Sequence, residues 1–304
     1  MNQDQGETQL DRCPICNSGI KHWGSKTVDG RAYQIDICTI CGYGFVNPRP
    51  SLDFLKMFYS RSGHHTSLDH SIRATYEDVI NAETQYPNST VDAGRIMQAI
   101  QSMSHRGVIN TGSRFMDVGC GYGFFSKAAL DSGFQVTSLE MAEQERAIAR
   151  AMTGQEILNS AFEDLQFPNQ SFDVILMSQI LEHVQDIHVW INKAKHMLAE
   201  RGMLVVALPN FGSIFRRVMQ VNEPYIIPPA HLNYFNRKNL TMLLNQYDFT
   251  VVKAEFITRL PDASLRKRLP RMLHAALPVV KGMLSVIDAM KLGSVLNLYA
   301  VKRV

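Results

Sequence analysis

The stretch Phe115-Met116-Asp117-Val118-Gly119-Cys120-Gly121-Tyr122-Gly123 decides the fold. Phe115–Val118 reads as a strand, and three alternating glycines then lead into a helix running to Ser132. Glycine permits a tight turn and close approach of a ligand to the backbone. The helix start adds unpaired N–H donors and positive potential. A ligand with polar groups is therefore expected at the C-terminal edge of the sheet.

Outward from this turn, short apolar runs alternate with amphipathic stretches. Strands are expected at Gln135–Leu139, Glu156–Asn159, Val174–Met177 and Met203–Leu208, with helices at Met141–Met152 and Ile187–Ala199. This alternation implies an α/β fold, a parallel sheet with helices on both faces and right-handed crossovers. After Pro209 the rhythm breaks: residues 210–235 form an insertion with Pro224, Pro228 and Pro229. A helix at Arg237–Tyr247 and a strand at Thr250–Phe256 follow. A C-terminal segment, 260–293, is first basic (Arg266, Lys267, Arg268, Arg271), then apolar and helical. Val295–Val301 reads as a last strand, added at the edge of the sheet.

The glycine spacing narrows the ligand. A dinucleotide fingerprint needs a third glycine where Phe124 stands, and no Gly-Lys-Ser/Thr follows to make a phosphate loop. The pattern is G-x-G-x-G, with Asp117 two residues before the first glycine and Glu140 ending the next strand. A carboxylate there accepts both hydroxyls of an unphosphorylated ribose, a geometry that nicotinamide dinucleotide sites share.

The rest of the chain bounds the function. It has 304 residues and a net charge of +3, too mild to favour a nucleic-acid binder. Residues 1–10 are polar, carry no apolar leader and read as a disordered tail. The longest uncharged run, Gly202 to Phe215, is 14 residues, short of a membrane span, so a cytoplasmic protein is expected. Residues 51–110 read as helical, with Ser51 capping Leu52–Tyr59, a helix from Val91 to His105, and a polar loop between them holding His64, His65 and His70.

Residues 11–50 carry two pairs, Cys13-Pro-Ile-Cys16 and Cys38-Thr-Ile-Cys41, separated by 21 residues. Each pair is a knuckle whose two sulfurs bite one ion, and two knuckles complete a tetrahedron, the signature of a closed, structural zinc ribbon. Asn47-Pro48-Arg49-Pro50 then enforces an extended exit.

Taken together, these segments resemble class I S-adenosylmethionine (SAM)-dependent methyltransferases, in particular the group related to ubiquinone and menaquinone biosynthesis enzymes. Residues 115–123 resemble motif I of that family, and Val136 to Met141 motif II. Ser160–Leu165 with Phe167-Pro168 and Ser171–Asp173 resemble the adenine-side loop; Leu181-Glu182-His183-Val184, Leu208-Pro209-Asn210 and His231–Phe235 match later elements in order. The likeness covers roughly residues 90–258. It implies a doubly wound, mostly parallel seven-stranded sheet over 111–304. It also implies roles: Asp117 on the methionine amine, Gly119 and Gly121 under the cofactor, Glu140 on the ribose, Met141 beside the adenine, Phe162 offering backbone bonds to it, and Ser178 and Gln179 on the methionine side. Many relatives have an acid where this chain has Ala161.

Methyl transfer is an in-line displacement in which alignment dominates, supplying ~7–11 kcal/mol. A base adds ~100-fold or more for a hydroxyl acceptor. His183 and His231 are the candidates, while Glu182 is expected to stabilise a helix start. The expected acceptor is a small molecule or a glycan. The alternatives are an RNA methyltransferase that grips RNA with its ribbon, and a non-catalytic binding protein on the same fold. The apolar stretch Met272–Met290 also suits peripheral contact with a membrane surface.

Overall fold

The computed structural model describes residues 6–62, 74–85, 88–104, 109–258 and 277–303. His64, His65, His70 and the basic stretch Leu265–Arg271 lie outside these residues.

Two sheets organise the chain. The large one holds β4 (Arg114–Val118), β5 (Gln135–Leu139), β6 (Ile157–Leu158), β7 (Phe172–Ser178), β8 (Leu198–Pro209), β10 (Phe249–Ile257) and β11 (Val295–Lys302). Its order is β10-β11-β8-β7-β4-β5-β6. The five strands β4 to β8 pair in parallel, and β10 and β11 run antiparallel. The chain winds from β4 to one side of the sheet and returns through β7 to the other. The switch between β4 and β7 is where such sheets open a crevice at their C-terminal ends.

The helices are α1 (Leu52–Ser62), α2 (Tyr76–Gln85), α3 (Asn88–Ser104), α4 (Phe124–Asp131), α5 (Glu143–Thr153), α6 (Ile187–Met197), α7 (Ile214–Met219), α8 (Arg237–Gln246) and α9 (Leu277–Ala289). Alternation along β7 shows how both sheet faces are covered. Val174 and Leu176 pack in one core with Ile96, Met97 and Ile100 of α3. Ile175 and Met177 pack in the other with Ile191 of α6 and Leu243 of α8. Ser51 caps α1, its Oγ accepting the Phe54 N–H at 3.2 Å.

The small sheet has the order β1-β2-β3-β9, from β1 (Ile20–Val28), β2 (Arg31–Cys38), β3 (Gly44–Val46) and β9 (Asn233–Tyr234). β9 belongs to the insertion, so the insertion supplies the fourth strand of the cysteine ribbon. The ribbon is not a tethered bead. Cys13, Ile15, Cys38, Cys41, Tyr43 and Phe45 share one apolar core with Met116, Leu181 and Phe235.

Three local expectations are corrected. The last strand is not an edge: β11 sits between β10 and β8. Val295 to Ala300 are all buried and need a neighbour on each side, whereas β10 exposes Thr250 and Val252 and takes the edge. Residues 8–10 of the polar start are held, with Thr8 bridging to Arg49 and the Leu10 N–H donating to Asn47 Oδ1 at 2.9 Å. Glu182 does not sit at a helix start. Asp186 caps α6, accepting from the His188 and Val189 N–H groups.

Candidate active site and cysteine centre

At the end of β4 the chain turns through Gly119, Gly121 and Gly123 with φ of +67°, +53° and +89°, values that disfavour side chains. The reasons for glycine differ along the turn. A Cβ on Gly119 would meet Ile180 Cδ1 at 2.4 Å, and one on Gly123 would meet Ala149 of α5 at 3.1 Å. A Cβ on Gly121 would meet nothing within 4 Å. The close approach at Gly119 is thus to Ile180, while Gly121 faces open space.

Two carboxylates brace this turn. Glu140, 5% exposed, accepts the Gly121 N–H on Oε2 and the Ala142 N–H on Oε1, both at 2.9 Å. Asp117 lies deeper and accepts the Ser126 hydroxyl at 2.6 Å; Ser126 Oγ is also 2.8 Å from Ser138 Oγ. Burial pushes Asp117 up to about 7; the Ser126 bond opposes this and the Glu140 charge adds to it.

The other cofactor candidates surround the same lip. Met141 is 60% exposed beside Glu140. Phe162 is buried, its ring 4.9 Å from that of Trp190, and Trp190 Nε1 donates to Glu163. Gln179 follows Ser178 at the end of β7 with φ of +57°, a left-handed conformation uncommon outside glycine. Its N–H is tied to Ala207 O at 2.7 Å, which holds the turn after β7 against β8.

His183 and His231, 48 positions apart in sequence, are neighbours in space. Their rings stand edge to face with centroids 4.8 Å apart. His183 Nδ1 donates to Ala230 O and His231 Nδ1 to Tyr225 O, each at 2.8 Å. A carbonyl only accepts, so in each neutral ring the lone pair is on Nε2. Burial, with His183 adding, holds His231 well below the usual imidazole range. The ligating atoms of Glu182, His183 and His231 all lie within 4.8 Å of one another, near enough to share a proton or an ion.

The four ribbon sulfurs also lie within 4.8 Å of one another. Cys13 and Cys41 Sγ are 3.6 Å apart, and Cys16 and Cys38 Sγ 3.4 Å. Those spacings are too long for disulfides and near the roughly 3.8 Å expected around a tetrahedral zinc with bonds of about 2.3 Å. The Ile40 and Cys41 N–H groups point at Cys38 Sγ, each at 3.4 Å, as they would to stabilise a thiolate. The hydrogen bond with Cys41 brings Cys13 down to about 5 against the opposing effect of burial. The donor set fits zinc. Cys120 lies apart, packed against Ala149 and Ile157.

A methyltransferase-domain family model matches residues 90–254. The chain belongs to that family. It carries the Rossmann-like fold shared with SAM-dependent methyltransferases. A ubiquinone biosynthesis O-methyltransferase of Glaesserella parasuis is 28% identical over 126 residues, 38% of this chain and 53% of that protein. Another of that name, from Sinorhizobium medicae, is 33% identical over 104 residues, covering 33% and 42%. The methyltransferase thus spans about half the length of the curated relatives it matches. A SAM-dependent methyltransferase of Thermotoga maritima shares the fold, at 16% identity and a TM-score of 0.52, over 77% of this chain and 99% of that one. Among the described residues, no helix of the methyltransferase is long and apolar enough to cross a membrane.

Several residues here carry no signal in the sequence: Ser126 beneath Asp117, Trp190 against Phe162, and Arg49, Tyr43 and Asn233, which hydrogen-bond one another beside the turn that carries His183. Asn233 lay inside the His231–Phe235 element and Arg49 in the proline-flanked exit, yet neither spacing shows that the two meet.

Proposed function

We propose that this methyltransferase methylates a small-molecule or glycan acceptor, with His183 or His231 taking the acceptor's proton. The carrying observation is the pair of rings 4.8 Å apart, each with Nδ1 committed to a carbonyl. The bound cofactor supplies an electrophilic methyl group on a sulfonium. Asp117 is assigned to the methionine amine, Glu140 to the ribose, Gly119 and Gly121 to the backbone passing beneath, Met141 and Phe162 to the adenine, and Ser178 and Gln179 to the methionine end. Either ring would accept that proton on Nε2 as the acceptor oxygen forms its new bond to carbon, and the burial that keeps His231 neutral also lowers its basicity. Relatives named for O-methylation in ubiquinone biosynthesis support a hydroxyl acceptor. We assign Cys13, Cys16, Cys38 and Cys41 to a structural zinc that leaves no open coordination position. Residues 11–50 are read as the ribbon, 51–110 as a helical cap and 111–304 as the methyltransferase unit.

The test is mass spectrometry of native extracts incubated with the enzyme and methyl-labelled SAM. The reading expects label in a small molecule or glycan. Label confined to RNA, or label incorporation unchanged when both His183→Ala and His231→Ala are present, contradicts it.

A further inference from the structure

We propose that Arg49 is a positioning residue that sets the two histidines from inside the ribbon, acting through Asn233. Arg49 leaves the ribbon just after β3 and is 5% exposed. Its Nη2 donates to Asn233 Oδ1 at 2.7 Å and its Nη1 to Leu232 O at 3.0 Å. Tyr43, fully buried, donates its hydroxyl to the same Oδ1 at 2.5 Å. A guanidinium has donors and no acceptor. It therefore dictates which end of the Asn233 amide faces it, and the NH2 end must point the other way.

That end reaches the histidine loop. Asn233 Nδ2 donates to Leu181 O at 2.8 Å and to Val184 O at 2.7 Å, the carbonyls on either side of the Glu182-His183 pair. The Leu232 and Asn233 N–H groups both donate to Glu182 O, at 2.7 and 3.1 Å. His231 directly precedes Leu232 in the chain. One buried cation thus fixes residues 232–233, and these hold the His183 turn on one side and the His231 backbone on the other. Burying a guanidinium is costly unless its hydrogen bonds are met. Here its partners are neutral oxygens, an arrangement that exploits the directionality of the fork. The ribbon's contribution to the active site is orientation, delivered without touching the acceptor.

The inference uses the acceptor-side reading of the histidines only for its consequence. Labelled methyl transfer tests that reading, and imidazole nitrogen NMR of the full chain tests this one. In the native protein His183 and His231 should each give a single Nδ1–H tautomer, because each Nδ1 donates to a carbonyl. Arg49→Met should lose the single-tautomer signal of His183 and shift that of His231, while SAM affinity by calorimetry stays within about twofold. Arg49→Lys keeps a donor that cannot accept, so it should restore the His183 signal in part. If Arg49→Met does not fold, Arg49→Gln decides in its place, since its amide offers an acceptor as well as donors and no longer dictates which end of Asn233 faces it. Native imidazole signals in a folded Arg49→Met, or in Arg49→Gln where only that variant folds, overturn the proposal.

Discussion

The two halves of the site are built in different ways. The proposed cofactor lip draws its two carboxylates and three glycines from one strand–turn–helix–strand unit, Asp117 to Glu140, whose parts lie at fixed spacing. The proposed acceptor side is assembled from the ribbon exit at Arg49, the turn after β7 and the insertion around His231. The lip is local and explains itself. The clamp exists only when three distant segments fold together, so its integrity depends on the ribbon while that of the lip should not.

The largest test of that contrast is Cys38→Ser. Removing one thiolate should abolish stoichiometric zinc and, because structural zinc contributes folding energy directly, remove amide protection across residues 11–50. The lip should continue to bind SAM within about tenfold, since its bonds are internal to 117–142. Retained zinc by elemental analysis would refute the four-cysteine centre, and total loss of SAM binding in a folded variant would erase the distinction between the halves.

Next comes the wall of the lip. Phe162 is 1% exposed and packs on Trp190. Phe162→Ala should cost ~3–5 kcal/mol in denaturant unfolding, as truncation of buried aromatics does. A cost below ~1 kcal/mol would show that the Phe162–Trp190 stack is not part of the core.

Asp117 gives a test by pH. Its folded-state value is raised to about 7, whereas an unfolded carboxyl releases its proton near 3.9. The stability that it confers is full below about pH 4 and is lost as pH rises to about 7. Asp117→Asn should therefore stabilise the cofactor-free protein above pH 7, by on the order of 4 kcal/mol at most, with no gain near pH 4. Ligand binding has the opposite sign. If the ionised carboxylate meets the methionine amine, SAM affinity should fall by up to ~10-fold per pH unit below 7. Asp117→Asn should flatten that profile, and an unflattened one would remove Asp117 from the contact.

The smallest expected effect is on the other half. His183→Ala and His231→Ala should change SAM affinity by no more than ~2-fold in calorimetry while lowering turnover ~100-fold or more. A large loss of SAM affinity would place these rings on the cofactor side.

The same contrast explains what the sequence disclosed. Asp117, the glycines and Glu140 could be read because a G-x-G-x-G turn after a strand forces their relative positions. The knuckles were legible because two C-x-x-C pairs can turn four sulfurs toward one point, and the four Sγ atoms do lie within 4.8 Å of one another. Arg49 and Asn233 were opaque, since an arginine between prolines reads as an exposed elbow until the insertion is seen to add β9 to the ribbon. The position of β11 is not legible in the sequence, because an uninterrupted apolar strand at the end of the chain does not reveal which neighbours will take it.

Calorimetric titration of the full chain with SAM, beside Glu140→Ala, tests the central claim most directly. One site per chain is expected, weakened ~30- to 100-fold in the variant as both the sugar contacts and the brace on Gly121 are lost. Binding of equal strength in the two proteins, or no binding to the native chain, would contradict the assignment of the glycine lip as the seat of the cofactor.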